Sequence, residues 1–195
     1  TALCEASAVA HPAARIADQD VGMSRADFVD TVQQLATGLA AQGVKPFDRV
    51  AVHAGKTIGT VAAIFALTRL RAIAVPLATN LKGRHRAHIL ADTEAKLLLA
   101  DLEDPSGLAT GEWSGAVRRI CDVQGSGAPP ATGPLPTDPA VIFYTSGSTG
   151  WPKGVVASHG NLLAGVESMR TVVAPGPGDV VLNLLPLHFD AGFNQ

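Results

Sequence analysis

One stretch of this chain has the residue types needed to hold an anion. It reads Tyr144-Thr145-Ser146-Gly147-Ser148-Thr149-Gly150-Trp151-Pro152-Lys153-Gly154-Val155. Its three glycines let successive backbone N–H groups turn inward and form an anion-binding concavity. Four hydroxyls, on Thr145, Ser146, Ser148 and Thr149, add small donors, and Lys153 brings a positive charge that can pair with a phosphate. By composition alone the stretch could equally be a plain turn, because Gly, Ser and Thr are ordinary loop residues. It is not a Walker A loop. Counted from Gly147, Pro152 stands where the second glycine is required, and Gly154 follows Lys153 where Ser or Thr is required. Gly55-Lys56-Thr57 has the ending of that motif, but Val50 replaces its first glycine, so Lys56 reads as a loop or helix-start residue. Ser146 and Ser148 have no His/Asp partner at recognisable spacing, which argues against a serine hydrolase.

The loop must be positioned by the elements around it. An apolar run from Ala140 to Tyr144 predicts a buried strand that empties into a loop from Thr145 to Gly154. This is the end of the strand where open α/β sheets bind ligands. Upstream, Ser24 and Asp27 have capping-box spacing ahead of Phe28, Val32, Leu35 and Leu39, which recur at helical intervals; Gly43 and Pro46 end that helix. Strands are predicted at Val50–His53, Ala72–Leu77 and Ala95–Ala100. They alternate with helices over Thr57–Arg71 and Arg84–Ala91. A short strand follows at Val117–Cys121. Residues 124–139, rich in Gly, Pro, Ser and Thr, read as a surface connection. Ser158 is a good N-cap for a helix carrying Leu162, Leu163, Val166 and Met169, and Asp179–Leu185 reads as a further strand. The rhythm predicts an α/β fold, a layered and largely parallel sheet flanked by helices.

Composition narrows the partners. Hydrophobic residues make up 47% and charged residues 16%, enough for a sizeable core, and the net charge of -2 predicts neither nucleic acid nor an anionic membrane as partner. Cys4 and Cys121 are the two cysteines, so a disulfide framework is not expected and a reducing, cytoplasmic setting fits. No apolar run approaches the roughly 18 residues of a transmembrane helix, and no signal peptide is visible. His85 and His88, at i and i+3 between Arg84 and Arg86, read as a solvated basic face rather than metal ligands. His53 reads as a satisfied, partly buried histidine, and Trp113 and Trp151 receive no stacking role.

Tyr144 to Val155 resembles the signature phosphate loop of the acyl-adenylate-forming superfamily, YTSGSTGxPKGV, with every fixed position present and Trp151 at the variable one. That superfamily holds acyl-CoA synthetases, adenylation domains of peptide synthetases, and luciferases. Leu67 to Leu77 resembles its LKAGAVYVPL stretch, and Ser158-His159-Gly160-Asn161-Leu162 its THRNL segment. Leu185 to Gly192 resembles LPLFHxxG, with the aromatic and the histidine exchanged, so that Phe189 stands where the family has His.

The resemblance implies a ligase that activates a carboxylic acid with ATP and Mg2+ as acyl-AMP. The acyl group then passes to a thiol, that of CoA or of a carrier protein's pantetheine. It implies that Thr145, Ser146, Gly147, Ser148, Thr149, Gly150, Lys153 and Gly154 hold the ATP phosphates in a loop that is mobile without nucleotide. It places His188, Phe189 and Asp190 near the substrate pocket. It also implies that residues 1–195 are part of an N-terminal large domain. The catalytic lysine, the magnesium-binding acid and a C-terminal domain are then expected beyond it, so no catalytic or metal-ligating residue is assigned here and the piece alone is expected to turn over negligibly. An acyl-CoA synthetase is the first expectation. An amino-acid adenylation domain is the close second, since Asp190 could meet a substrate amine. A non-catalytic nucleotide-binding module is the third. A sheet cut midway is expected to leave an edge open to a second copy.

Overall fold

The computed structural model describes residues 14–19, 21–109, 113–128, 133–146, 150–176 and 178–194. Strands β1 (Arg15–Ala17) and β2 (Gly22–Ser24) form a small antiparallel hairpin that leads into helix α1 (Arg25–Ala41). The expected capping box is present. The Asp27 amide donates to Ser24 Oγ at 3.1 Å and the Ser24 amide donates to Asp27 Oδ2 at 3.3 Å, which satisfies two groups the first turn leaves unpaired. Phe28, Val32, Leu35 and Leu39 are all buried on one side of α1.

The main sheet contains β3 (Arg49–His53), β4 (Ile73–Leu77), β5 (Leu97–Ala100), β6 (Ala116–Arg119), β7 (Pro139–Ser146) and β8 (Pro152–Ser158). Its order is β6-β5-β3-β4-β7-β8, and only the β7–β8 pair is antiparallel. Helix α2 (Ile58–Arg69) connects β3 to β4, and α3 (Gly83–Asp92) connects β4 to β5. Successive side chains of a strand point to opposite faces. Val50, Val52, Ala74, Leu97, Leu99, Val141 and Phe143 therefore join the apolar cluster under α1 and α2. Their neighbours Ala51, Val75, Leu77, Leu98 and Ala100 join a second cluster under α3 with Ile89 and Leu90. Both faces of the sheet are covered over β3, β4 and β5, which explains why those strands read as continuous apolar runs. The α/β layered fold expected from the sequence is the fold observed.

Two expectations need correction. The stretch from Thr145 to Gly154 is not one long loop. The β7 ladder runs on to Ser146 and resumes at Pro152, so Lys153 and Gly154 lie on β8, paired with Thr145 and Tyr144. The sequence does not mark β8, because Pro152 and Gly154 are poor strand residues and the run Val155-Val156-Ala157 lacks the alternation of a half-buried strand. The second correction concerns Asp179–Leu185, which forms no strand. It is apolar enough, but no neighbouring strand pairs with it among the described residues, and Val180, Val181, Leu182 and Leu184 are exposed. Helix α4 (His159–Val173) starts at Ser158 as expected, with a capping box to Asn161, yet Leu163, Val166 and Met169 face outward. Among the described residues no helix is long and apolar enough to cross a membrane. Cys121 is a free, exposed thiol, and Cys4 lies outside the described residues.

The connection after β6 begins as packed structure. A Cβ on Gly38 of α1 would lie 2.8 Å from the Gln124 carbonyl carbon, and one on Gly125 would lie 2.5 Å from the Gly38 nitrogen. Backbone meets backbone here, so neither site has room for a methyl group. Gly38→Ala is expected to lower stability by about 1–3 kcal/mol. Gly83→Ala, where nothing lies within 4 Å, serves as the control, and urea unfolding of both variants checks this.

Asp138 fixes the start of β7. Its Oδ2 accepts from the Leu135 amide at 2.8 Å and from Arg71 Nε at 2.9 Å. The amide first, and then the guanidinium, hold the carboxyl below the usual carboxylate range. A depressed folded value gives stability that is present above the unfolded pKa, about 4, and lost as pH falls through the folded value. Unfolding titrations below pH about 4 should therefore show a shallower acid loss in Asp138→Asn than in the parent.

Candidate functional site

The hairpin of β7 and β8 carries the Gly/Ser/Thr loop at its tip. Gly147, Ser148 and Thr149, and with them the expected mobility of the loop, lie outside the described residues. The stems on either side are defined. Thr145 ends β7 in an exposed position opposite Lys153, which is also exposed. Ser146 pairs with Pro152 at the last rung. Gly150 has φ 84°, a left-handed conformation that L side chains rarely adopt. Gly154 sits beneath Tyr144: a Cβ there would lie 3.0 Å from Ile142 Cγ2 and 3.2 Å from Tyr144 Cζ.

Tyr144 is anchored to the helix layer. Its hydroxyl donates to Asp92 Oδ2 at the end of α3. Burial, reinforced by the Asp92 carboxylate, pushes the phenol well above its ordinary range. The same helix meets the other leg of the hairpin. His88 Nε2 lies 3.2 Å from the Pro152 carbonyl oxygen, and the Trp151 ring packs against His88 and His85 with centroids 5.1 and 5.9 Å apart. The two histidines are thus half-buried rather than a solvated basic face, and Trp151 has stacking partners. The i, i+3, i+7 spacing of His85, His88 and Asp92 was the available signal, but nothing in the sequence says what that face meets.

A cavity of about 550 Å³ opens beside the loop stems. Phe143 and Thr145 line it from β7, Asn161, Leu162 and Gly165 from α4, and His188, Phe189, Asp190 and Asn194 from the far side. The three pocket residues named from the sequence are therefore brought to the same cavity as the start of the loop. Phe143 and Phe193 meet edge to face at 5.2 Å below it. Asp190 opens the short helix α5 (Asp190–Phe193) as its first residue, and its Oδ1 accepts from Asn194 Nδ2 at 2.7 Å. His188 is half-buried against the exposed Phe189 ring at 4.4 Å, and burial holds its pKa below the ordinary histidine value. His53, at the end of β3, is buried and is likewise lowered, chiefly by burial.

The chain segment before these residues is tied down by contacts the sequence does not announce. Lys56 Nζ donates to the Leu184 carbonyl, and Asn183 Nδ2 donates to the Gly192 carbonyl at 2.8 Å. Gly192 is buried so closely against Pro186 that a Cβ would lie 2.2 Å from the Pro186 oxygen. The turn from Leu185 to Gly192 therefore requires glycine at its end. Among the described residues no group of three or more His, Cys, Asp or Glu side chains could hold a metal ion.

A doubly covered sheet that ends in a glycine- and hydroxyl-rich hairpin beside a cavity agrees with the comparisons. The chain belongs to the AMP-binding enzyme family, which its sequence matches over residues 4–195. It is 33% identical over 187 residues to an L-proline–[L-prolyl-carrier protein] ligase of Pseudomonas fluorescens, covering 90% of this chain and 37% of that protein. It is 27% identical to a 4-chlorobenzoate–CoA ligase of Arthrobacter, covering 88% of this chain and 35% of that protein. Its fold matches o-succinylbenzoate CoA synthetase of Bacillus subtilis, solved with an acyl-adenylate, at a TM-score of 0.87 and 24% identity, over 98% of this chain and 51% of that one. The chain thus spans about half or less of the length of these relatives.

Because Tyr144 is the only tyrosine, its ionisation can be read directly by ultraviolet absorbance. It should titrate above the ordinary value near 10. Asp92→Asn should lower it but not bring it fully to that value, because the burial remains.

Proposed function

We propose that this chain is the ATP-gripping part of an AMP-forming acid–thiol ligase, an acyl-CoA synthetase acting on Mg-ATP and a carboxylic acid. The observation that carries this reading is the hairpin itself. Its stems pair Thr145 with Lys153, and Thr145 lines a cavity large enough for a small acyl group. In this reading the hydroxyls and glycines from Thr145 to Gly150, with Lys153 and Gly154, cradle the β- and γ-phosphates. Adenylation brings a carboxylate toward a triphosphate, so fixed donors and a cation offset the repulsion between like charges. The carboxylate oxygen attacks the α-phosphorus, the bond to the bridging oxygen breaks, and pyrophosphate leaves with the charge the loop has stabilised. His188, Phe189 and Asp190 line the acyl side. A thiol, that of CoA, then displaces AMP. Magnesium, if bound with the triphosphate, would offset part of its charge.

A second reading is supported by a specific feature. Asp190 presents a carboxylate to the cavity, and a carrier-protein ligase that takes an amino acid is among the relatives at 33% identity. A carboxylate there would pair with the α-amine of an amino acid, and the thiol would then belong to a carrier protein's pantetheine.

Pyrophosphate exchange by the full-length protein against fatty, aromatic and amino acids separates these readings. Exchange with an acid lacking an amine, followed by CoA thioester formation, supports the synthetase. Exchange restricted to amino acids and lost in Asp190→Ala supports the carrier-protein ligase, and no exchange with any acid rejects both. In either ligase, Lys153→Ala should lower kcat/KM for ATP by roughly 10- to 1000-fold.

A further inference from the structure

Three side chains on one face of α3 converge on the hairpin, and the reading above assigns them nothing. Asp92 accepts the Tyr144 hydroxyl on the strand that enters the loop. His88 reaches the carbonyl of Pro152 on the strand that leaves it. A carbonyl oxygen only accepts, so His88 Nε2 carries a proton and donates it. Trp151, the residue before Pro152, lies across the rings of His85 and His88 at separations normal for ring pairs. The helix therefore grips both legs of the hairpin. Trp151 fills the variable position of the family's loop pattern, so the pattern itself does not account for this contact.

Resting on the ATP-binding reading above, we propose that His88 is a positioning residue for nucleotide binding. Its hydrogen bond to Pro152, with Trp151 packed beside it, holds the first rung of β8 so that the adjacent Lys153 stands ready for the triphosphate. Lys153 has an exposed side chain on β8, the outermost strand of the sheet among the described residues. If its backbone were free to move, binding would have to order strand and side chain together, and affinity would fall. Holding the strand in advance leaves only the side chain to be ordered. His88 acts through Pro152 and Trp151 and touches no reacting atom.

The test uses the full-length protein and the variants His88→Ala, His88→Gln and Trp151→Ala, with two readouts. The first is the rate of tryptic cleavage after Lys153 without nucleotide, which follows opening of the strand. The second is the separation of KM for ATP from kcat in pyrophosphate exchange. His88→Ala should raise the cleavage rate roughly three- to tenfold, the scale of one lost hydrogen bond. It should raise KM for ATP by a similar factor, with a smaller change in kcat. His88→Gln keeps a donor and should recover most of both effects. Trp151→Ala should reproduce the pattern, which keeps the test open if His88→Ala does not fold. Parental cleavage and KM in His88→Ala overturn the proposal. Faster cleavage with unchanged KM also overturns it, since it leaves His88 a merely structural role. A parent protein that exchanges pyrophosphate with no acid at all instead defeats the ligase reading, and the nucleotide-free cleavage rates still decide whether His88 holds the strand.

Discussion

Strand β7 is paired on both sides, with β4 in parallel and with β8 in antiparallel, and the geometry of the site follows from that double pairing. A strand with two partners cannot slide, and in a sheet a slip of one residue turns every side chain to the other face. The register sends Phe143 to the core beneath α1 and α2 and Tyr144 to the side of α3. Thr145 follows, paired with Lys153, and all three β7 residues border the cavity. Moved by one position, Phe143 would leave the core and the Tyr144 phenol would lose Asp92. Burial on both faces of the sheet is what makes that shift costly.

Much of this was legible in the sequence because it is local. The capping boxes at Ser24 and Ser158, the buried face of α1 and the apolar runs of β3, β4 and β5 are each written in a short window of residues. So was the loop, whose composition is unusual enough to stand out. What failed depends on distant partners. β8 exists because β7 lies beside it, and Asp179–Leu185 is not a strand because nothing pairs with it among the described residues. Its apolar residues are the same either way. The placement of His85 and His88 failed for a related reason. Flanking arginines suggested a solvated surface, but the far edge of the sheet curls a tryptophan onto that face.

The cavity illustrates how a site can rest on backbone contacts that residue identity hides. Lys56 and Asn183 each donate to a main-chain carbonyl, of Leu184 and Gly192. Neither acceptor has a side-chain signature, so neither bond could have been anticipated. Yet they join the end of β3, the segment before His188 and the short helix α5 into one wall. The half-buried Gly192 oxygen needs a donor, and the Asn183 side chain supplies it.

The interlock of Gly38 with Gln124 and Gly125 bears on where the chain can tolerate a change of length. Up to Gly125 the path is fixed by main-chain contact with α1, and the Gly125 amide donates to the Gln34 carbonyl at 3.0 Å. From Leu135 onward it is fixed again, by Asp138. Between them Gly127 and Gly133 have open space where a side chain would stand. Insertions and deletions among homologues should therefore gather between these two anchors, where a longer or shorter excursion leaves the course of β7 untouched.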